Sequence, residues 1–487
     1  MSNLKSLLKQ SSHYLTGRGL AILIGFVSFP VYARLFSVAD YGVLNLAQRF
    51  TLVALAVAKL GMQNAILRFY EESSDSEDSL RRLYSTALFG TTFGGLVCSL
   101  ACALFFALPT SNWIPPNIAR ALLFASGLVF VRAAASPIFG FLRVEGKTFA
   151  FNALDVLTRL LSLIIGVSMV RLLGSRPENL LLGLIFAESA VIGIALVFYI
   201  PRHRLAIASF DPSLFRSAMG FAAPLAASEL AQTLLGSADR AFVQYYLGSE
   251  PLGYYAAACA IAIILQEALQ IPLNLALVPM YVKLWHREGA EATGRFVGLT
   301  FEVFLLAACA VTAVTFAAAR ELIVFVNSAK YAPAAPMLGP LVAGYMFLAA
   351  SVFFSAGFWV QKKTMQMARL VAVAFGVKCV LNFIMLPGMG LAGAVIPNAV
   401  GFIVLAALYG WFSHRLLPLR LSPVRCLTYV AAAAVAAFAG QMVQTPGLLL
   451  SLVARTATVL GIYSVLVVLF DARLRQWLRQ LPGFRSA

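Results

Sequence analysis

Charge is what this sequence has least of. Only 12% of its 487 residues are Asp, Glu, Lys or Arg, and 61% are hydrophobic, with a mean hydropathy of +0.85. A soluble domain carries roughly 25% charged residues, so a soluble fold of this length could not cover its surface. Histidine is reduced to four residues, His13, His203, His286 and His414. None has ligand spacing, which excludes a zinc site, and no cofactor is expected. The six cysteines lie within apolar runs or at their cytoplasmic ends, which excludes a disulfide framework and suits small buried hydrophobes. Long polar stretches are missing too, so no soluble domain is expected on either face. The longest periplasmic connection, near 319–333, contains the apolar run Leu322 to Val326 and reads as a short interfacial helix.

What is present is apolar sequence in runs of membrane-crossing length. Segments of roughly 20 residues fall at 13–35, 42–67, 83–108, 118–142, 151–173, 179–200, 215–247, 252–280, 296–318, 334–358, 367–386, 391–411, 424–443 and 448–470. The chain is therefore read as an all-α polytopic membrane protein with about 14 transmembrane helices. The first span holds Pro30 and Arg34, and no small-residue cleavage site follows it, so it reads as a retained helix.

The net charge of +17 does not point to nucleic acid. With the N-terminus inside, 24 Lys and Arg fall in cytoplasmic segments and five in the opposite loops, Arg120, Arg171, Arg176, Arg320 and Lys330. This is the positive-inside rule repeated loop after loop, with some attraction to anionic headgroups. It predicts a bacterial inner membrane protein with both termini cytoplasmic.

An internal repeat is visible. RLFSVADYGVLNLA at 34–47 matches YYLGSEPLGYYAAA at 245–258, and GFLRVEGKT at 140–148 matches GFWVQKKT at 357–364. The offsets, 211 and about 216, agree, so two six-helix copies run in the same direction, a parallel repeat known from secondary transporters. The expected division is an N-terminal lobe at 1–205, a C-terminal lobe at 206–415, and two extra helices with a basic tail at 416–487. Pro30, Pro137, Pro224, Pro272, Pro340 and Pro397 can bend their helices.

Eight basic residues fall inside spans: Arg34, Arg49, Lys59, Arg132, Arg159, Arg240, Lys378 and Arg455. Each costs roughly 2.5–3.5 kcal/mol at a helix centre, so they should face a watery cavity or pair with Asp155, Glu188, Glu229, Asp239, Glu267 or Glu302. Spans 1–6 carry net +3 and spans 7–12 net −2, which suggests an anionic substrate on the first half and a coupling cation on the second. Asp155 and Arg159 are four apart and suit an intrahelical pair. Arg34 and Arg49 can snorkel, and snorkelling is expected for Arg455. Lys59 and Arg132 lie deeper with no acid near in sequence. They lead the anion-binding candidates, which also include Arg18 at the cytoplasmic mouth, Arg49 and Arg159. Asp239 and Arg240 are adjacent and should point to different faces. Lys378 and Asn382 share one face of span 11 and could meet Asp239 or Glu229, a group suited to ion coupling or gating unless Lys378 neutralises the acid permanently.

GFLRVEGKT resembles a phosphate loop, but five residues separate Gly140 from Gly146 where the motif has four, and no strand precedes it. Nucleotide hydrolysis is not expected, and the chain is not expected to be an enzyme.

Residues 17–48, GRGLAILIGFVSFPVYARLFSVADYGVLNLAQ, with GMQNAILRFY at 61–70, resemble the start of Wzx-type polysaccharide flippases, including the turn Asp40, Tyr41, Gly42. SADRAFVQYYLGSEPLGYYAAACAI at 237–261 is similar to that family's seventh and eighth helices, and YAPAAPMLGPL at 331–341 to the start of its tenth. The resemblance implies a fold of the multidrug/oligosaccharidyl-lipid/polysaccharide exporter superfamily, two six-helix lobes around a central cavity. It implies flipping of an undecaprenyl-diphosphate-linked oligosaccharide to the periplasmic leaflet, with membrane lipids, a polysaccharide polymerase and a chain-length regulator as partners. A lipid II flippase would share the architecture. A multidrug exporter would favour an acidic cavity, and a membrane polymerase or ligase would need periplasmic loops longer than these.

Overall fold

The computed structural model describes residues 19–20, 23–74, 76–108, 114–471, 473 and 475. It is all-helical among these residues, as the composition requires, because only helices and closed barrels satisfy their backbone in lipid. Among the described residues twelve helices are long and apolar enough to cross a membrane. They fall at the positions of twelve of the fourteen expected spans. At the other two stand α1, Leu23–Leu35, which is shorter, and α8, Pro212–Ser237, which carries Arg216, Glu229 and Gln232 and is not among the twelve.

The chain forms two compact units that meet between Ala241 and Phe242. The first holds α1, α2 (Val38–Ala58), α3 (Met62–Ser73), α4 (Glu77–Ala107), α5 (Pro116–Val144), α6 (Thr148–Leu173), α7 (Pro177–Arg202), α8 and the start of α9 (Asp239–Leu247). Here α5 is central, packing on α2, α3, α4, α6 and α7, while α8 packs on α2, α3 and α4. Met62, Ile66, Tyr84, Phe141 and Leu142 fill one core.

The expected second span is interrupted. α2 ends at Ala58, Leu60 and Gly61 turn left-handed with φ of 55° and 68°, and α3 restarts at Met62. Gly61 is demanded twice over: its φ disfavours any Cβ, and a Cβ there would stand 2.7 Å from the Ala222 carbonyl oxygen on α8. Gly61→Ala should therefore lower stability by about 1–3 kcal/mol, seen as a lower midpoint of thermal unfolding in detergent. An unchanged midpoint would show that the break has no fixed geometry.

The second unit continues with α10 (Ser249–Ala317), α11 (Ala319–Val326), α12 (Ala335–Phe354), α13 (Ala356–Val360), α14 (Thr364–Met389), α15 (Ala392–His414), α16 (Pro423–Met442) and α17 (Leu448–Phe470). The two expected spans 252–280 and 296–318 are the two helical arms of α10, separated by a non-helical break at Gly289 (φ 78°, ψ −167°). α11 is the short helix expected around Leu322 to Val326. α12 lies between α10 and α15, and α14 pairs with α15.

The last two helices are pinned to the second arm of α10. Glu302 on that arm accepts from the Ser422 amide (3.0 Å) and from Arg425 Nη1 (2.5 Å) at the start of α16. At the other end Arg455 donates to the carbonyls of Val443 (3.1 Å) and Ala317 (2.9 Å) and to Glu321 (3.2 Å). This corrects the expectation that Arg455 snorkels: free helix-end carbonyls and a buried carboxylate lie within its reach, so it need not extend to water.

The repeat reappears as geometry. α5 ends with Gly146 at φ 66° and the Lys147 amide bonded to the Leu142 carbonyl (2.9 Å). At an offset of 216, α13 ends with Lys362 at φ 57° and the Lys363 amide bonded to the Phe358 carbonyl (2.8 Å). One left-handed helix stop is thus built twice, with glycine in one copy and lysine in the other. Lys362→Gly should stabilise the protein by up to about 1 kcal/mol and Gly146→Ala should destabilise it by a similar amount. Thermal unfolding that moves the same way in both variants would contradict the shared turn.

Candidate functional site

The break in α2 determines what Lys59 can do. As the C-cap of α2 it projects beside α8, and its ammonium pairs with Glu229 Oε1, while Gln63 Nε2 donates to Oε2 (3.3 Å). Both carboxylate oxygens are engaged. The two residues, 170 positions apart, were placed in different roles by the sequence, which offered Glu229 to Lys378; the structure instead joins it to Lys59.

Arg132, on α5, is also paired. Its Nε and Nη2 donate to Glu188 of α7 at 2.9 and 2.7 Å, a bidentate fork. Glu188 is 7% exposed and Arg132 28%. Arg132 Nη1 has no partner among the described residues, so the guanidinium keeps donors available for another anion.

Arg159 pairs with Asp155 one turn away at 3.1 Å, as the spacing suggests, and stays exposed. Arg49 is half-buried on α2. Arg18 lies outside the described residues. Asp239 and Arg240 do not point to different faces. Arg240 folds back across the junction of α9 with α8, donating to the Gly236 carbonyl (2.8 Å) and to Asp239 (2.9 Å), and both side chains are fully buried. The length of the arginine side chain defeats the argument from adjacency.

A further cluster was not read from sequence. Glu145, at the end of α5, accepts from Tyr84 (3.1 Å) and Tyr199 (3.3 Å), pairs with Lys147, and lies 3.3 Å from His203 Nε2. It ties together the same ends of α4, α5 and α7. Burial pushes the His203 pKa down, and the carboxylate of Glu145 only partly opposes this. Every member is ordinary taken singly, so the sequence held no signal for the group.

In the second unit Lys378 and Asn382 are each 1% exposed on α14. Asn382 Nδ2 donates to the Lys378 carbonyl (2.8 Å), and the lysine ammonium stands 5.2 Å from the centre of the Phe402 ring on α15, a cation–π distance. One turn away on α15, Asn398 donates to the Tyr255 hydroxyl (2.9 Å). The result is a buried polar layer across α10, α14 and α15.

The division at Ala241 redistributes the intramembrane charge. Glu229, Asp239 and Arg240 belong to the first unit, which holds six of the eight basic residues and four of the six acids. The first unit keeps a cationic excess, and the acidic excess expected of the second half disappears.

These units are built like those of known membrane carriers. A lipid II flippase, MurJ, in an inward closed conformation superposes with a TM-score of 0.79 over 96% of this chain and 99% of that one, at 13% identity. An inward-facing multidrug resistance MATE transporter of the MOP superfamily gives 0.60 over 83% and 94%, at 15% identity. The fold is the one seen in these flippase and transporter structures. A family model described as "Polysaccharide biosynthesis protein" matches residues 7–285. The chain belongs to that family. An uncharacterized membrane protein of Methanocaldococcus jannaschii, MJ1068, is 23% identical over 214 residues, which span 43% of this chain and 41% of that protein.

Proposed function

We infer that the protein flips an undecaprenyl-diphosphate-linked oligosaccharide from the cytoplasmic to the periplasmic leaflet of a bacterial inner membrane, for surface polysaccharide biosynthesis. Family membership over residues 7–285 carries this reading, because that range covers all but the first six residues of the cation-rich first unit. Two six-helix lobes, 1–205 and 206–415, would open alternately to either face, with both termini cytoplasmic as the positive-inside count suggests. The diphosphate would meet cations of the first unit. Arg132 is the best placed, since its pairing with Glu188 leaves Nη1 free for a charge-assisted bond. Arg49, Lys59, Arg159 and Arg18 would line the same path. Glu229 would gate by exchanging Lys59 between itself and the substrate; for ion coupling the candidates are the buried layer of Lys378 and Asn382 in the second unit and, separately, Asp239 in the first.

A lipid II flippase is the second reading, favoured by the match to MurJ along nearly the full length of both chains. Depletion in the native cell followed by lipid extraction separates the two. A polysaccharide flippase leaves an undecaprenyl-linked oligosaccharide on the cytoplasmic side and surface polysaccharide missing, while cell-wall synthesis continues. Accumulated lipid II with arrested growth would move the assignment to the second reading. Unchanged surface polysaccharide and unchanged lipid pools would remove both.

A further inference from the structure

The second unit carries a cleft that the transport reading does not use. It has a volume of about 790 Å³ and lies between the second arm of α10, α12, α15 and α16, within the size range of ligand sites. Its lining is apolar apart from Thr312, whose hydroxyl donates to its own helix, and Gln441. Phe316, Phe347, Ile403 and Phe438 line it and are 40–62% exposed. Large aromatic side chains in that state belong against hydrocarbon rather than water.

Both ends of the cleft are polar. At Phe316 and Gln441 it opens into a pocket that includes Arg320, Pro336 and Gly339. At Phe354 and Gly410 it opens into another with Trp411, His414 and Arg415. One pocket is beside the start of α12 and the other beside its end, 20 residues apart, or about 30 Å of helix. That is the thickness of the hydrocarbon core.

The cations at the two ends differ from their neighbours. Arg420, Arg425 and Arg455 are held by Glu291, Glu302 and Glu321. Arg320 and Arg415 are exposed and have no acidic partner among the described residues, and His414 beside Arg415 adds an exposed hydrogen-bonding ring. An apolar groove of bilayer depth with unneutralised cations at each mouth is complementary to a negatively charged amphiphile entering from either leaflet.

We propose that this cleft is a binding site for anionic glycerophospholipid, with the acyl chains along α12 and α16 and the headgroup at Arg320 in one leaflet or at His414 and Arg415 in the other. Two leaflets each supply a lipid of half the groove's depth, which accounts for cations at both ends. The site is independent of what the protein carries.

The test is native mass spectrometry of the purified full chain titrated with phosphatidylglycerol, with phosphatidylcholine of the same chains, and with undecaprenyl phosphate. Phosphatidylglycerol should bind at least about tenfold more tightly than phosphatidylcholine, the effect of roughly 1.4 kcal/mol. The double variant Arg320→Gln/Arg415→Gln should bring the two close to equality. Arg420→Gln, whose guanidinium is already held by Glu291, should leave the ratio unchanged. Ala437→Trp, which fills the cleft, should remove both lipids, and the surface glutamine variants decide the matter if that variant fails to fold. Equal binding of the two phospholipids by the unmodified protein, or a preference that survives the double variant, would overturn the site. Undecaprenyl phosphate displacing phosphatidylglycerol at lower concentration would overturn the choice of occupant.

Discussion

Glu188→Ala should leave little folded protein, although Glu188 is one of only twenty acidic residues in a chain that is mostly apolar. The substitution strands Arg132 near the middle of the 29-residue helix α5. Removing one partner of a buried pair costs about 3–5 kcal/mol, and a lone arginine at mid-helix in a membrane costs roughly 2.5–3.5 kcal/mol on the insertion scale. Arg132 is 28% exposed, which puts the expected loss at the lower end, about 3 kcal/mol. Membrane-extracted protein should fall severalfold, with a lower unfolding midpoint. Arg132→Leu/Glu188→Leu should recover most of that stability, because a well-packed apolar pair often replaces a buried ion pair at little cost. The double variant then isolates function. Folded protein without export would assign Arg132 to the substrate path; normal export would make the pair purely structural.

The same contrast shows what the sequence can disclose. α4, α5, α6 and α7 are legible because each is an apolar run of membrane length bounded by turn residues or Pro. The break after Ala58 is not, since Lys59, Leu60 and Gly61 sit inside such a run. The left-handed backbone of Leu60 and Gly61 packs against the carbonyl of Ala222 on α8, which leaves no room for a side chain at Gly61 and lies far away in sequence. The ion pairs divide along the same line. Asp155 and Arg159 are joined by helical spacing and could be paired from sequence. Arg132 and Glu188 are 56 residues apart and Lys59 and Glu229 170 apart. Any acid in any span was an equally good partner for those bases. Sequence therefore identified the intramembrane charges and said they need partners, while tertiary packing alone assigned them. It misjudged Arg240 and Arg455 for one reason: a long side chain reaches backbone carbonyls that spacing rules leave out.

Lys59→Glu should abolish export, and its rescue separates two roles for the cation. The variant puts a second carboxylate beside Glu229, at a position where α2, α3 and α8 meet. Like charges in a half-buried contact repel where the native pair attracted, so the level of folded protein should drop as well. Lys59→Glu/Glu229→Lys restores opposite charges, and with them the contact and the protein level. It does not restore the position of the ammonium, which moves from the break in α2 to the middle turns of α8. If Lys59 meets a diphosphate during transport, that displacement forfeits a charge-assisted hydrogen bond of about 1.5–3 kcal/mol, a factor of roughly 10–100. Export in the charge-swapped protein, measured as surface polysaccharide per folded molecule, should then stay at or below about a tenth of the native rate. Full recovery would show that Lys59 and Glu229 serve only to hold α2 against α8, and would leave Arg132 and Arg49 as the cations to examine for the anionic headgroup.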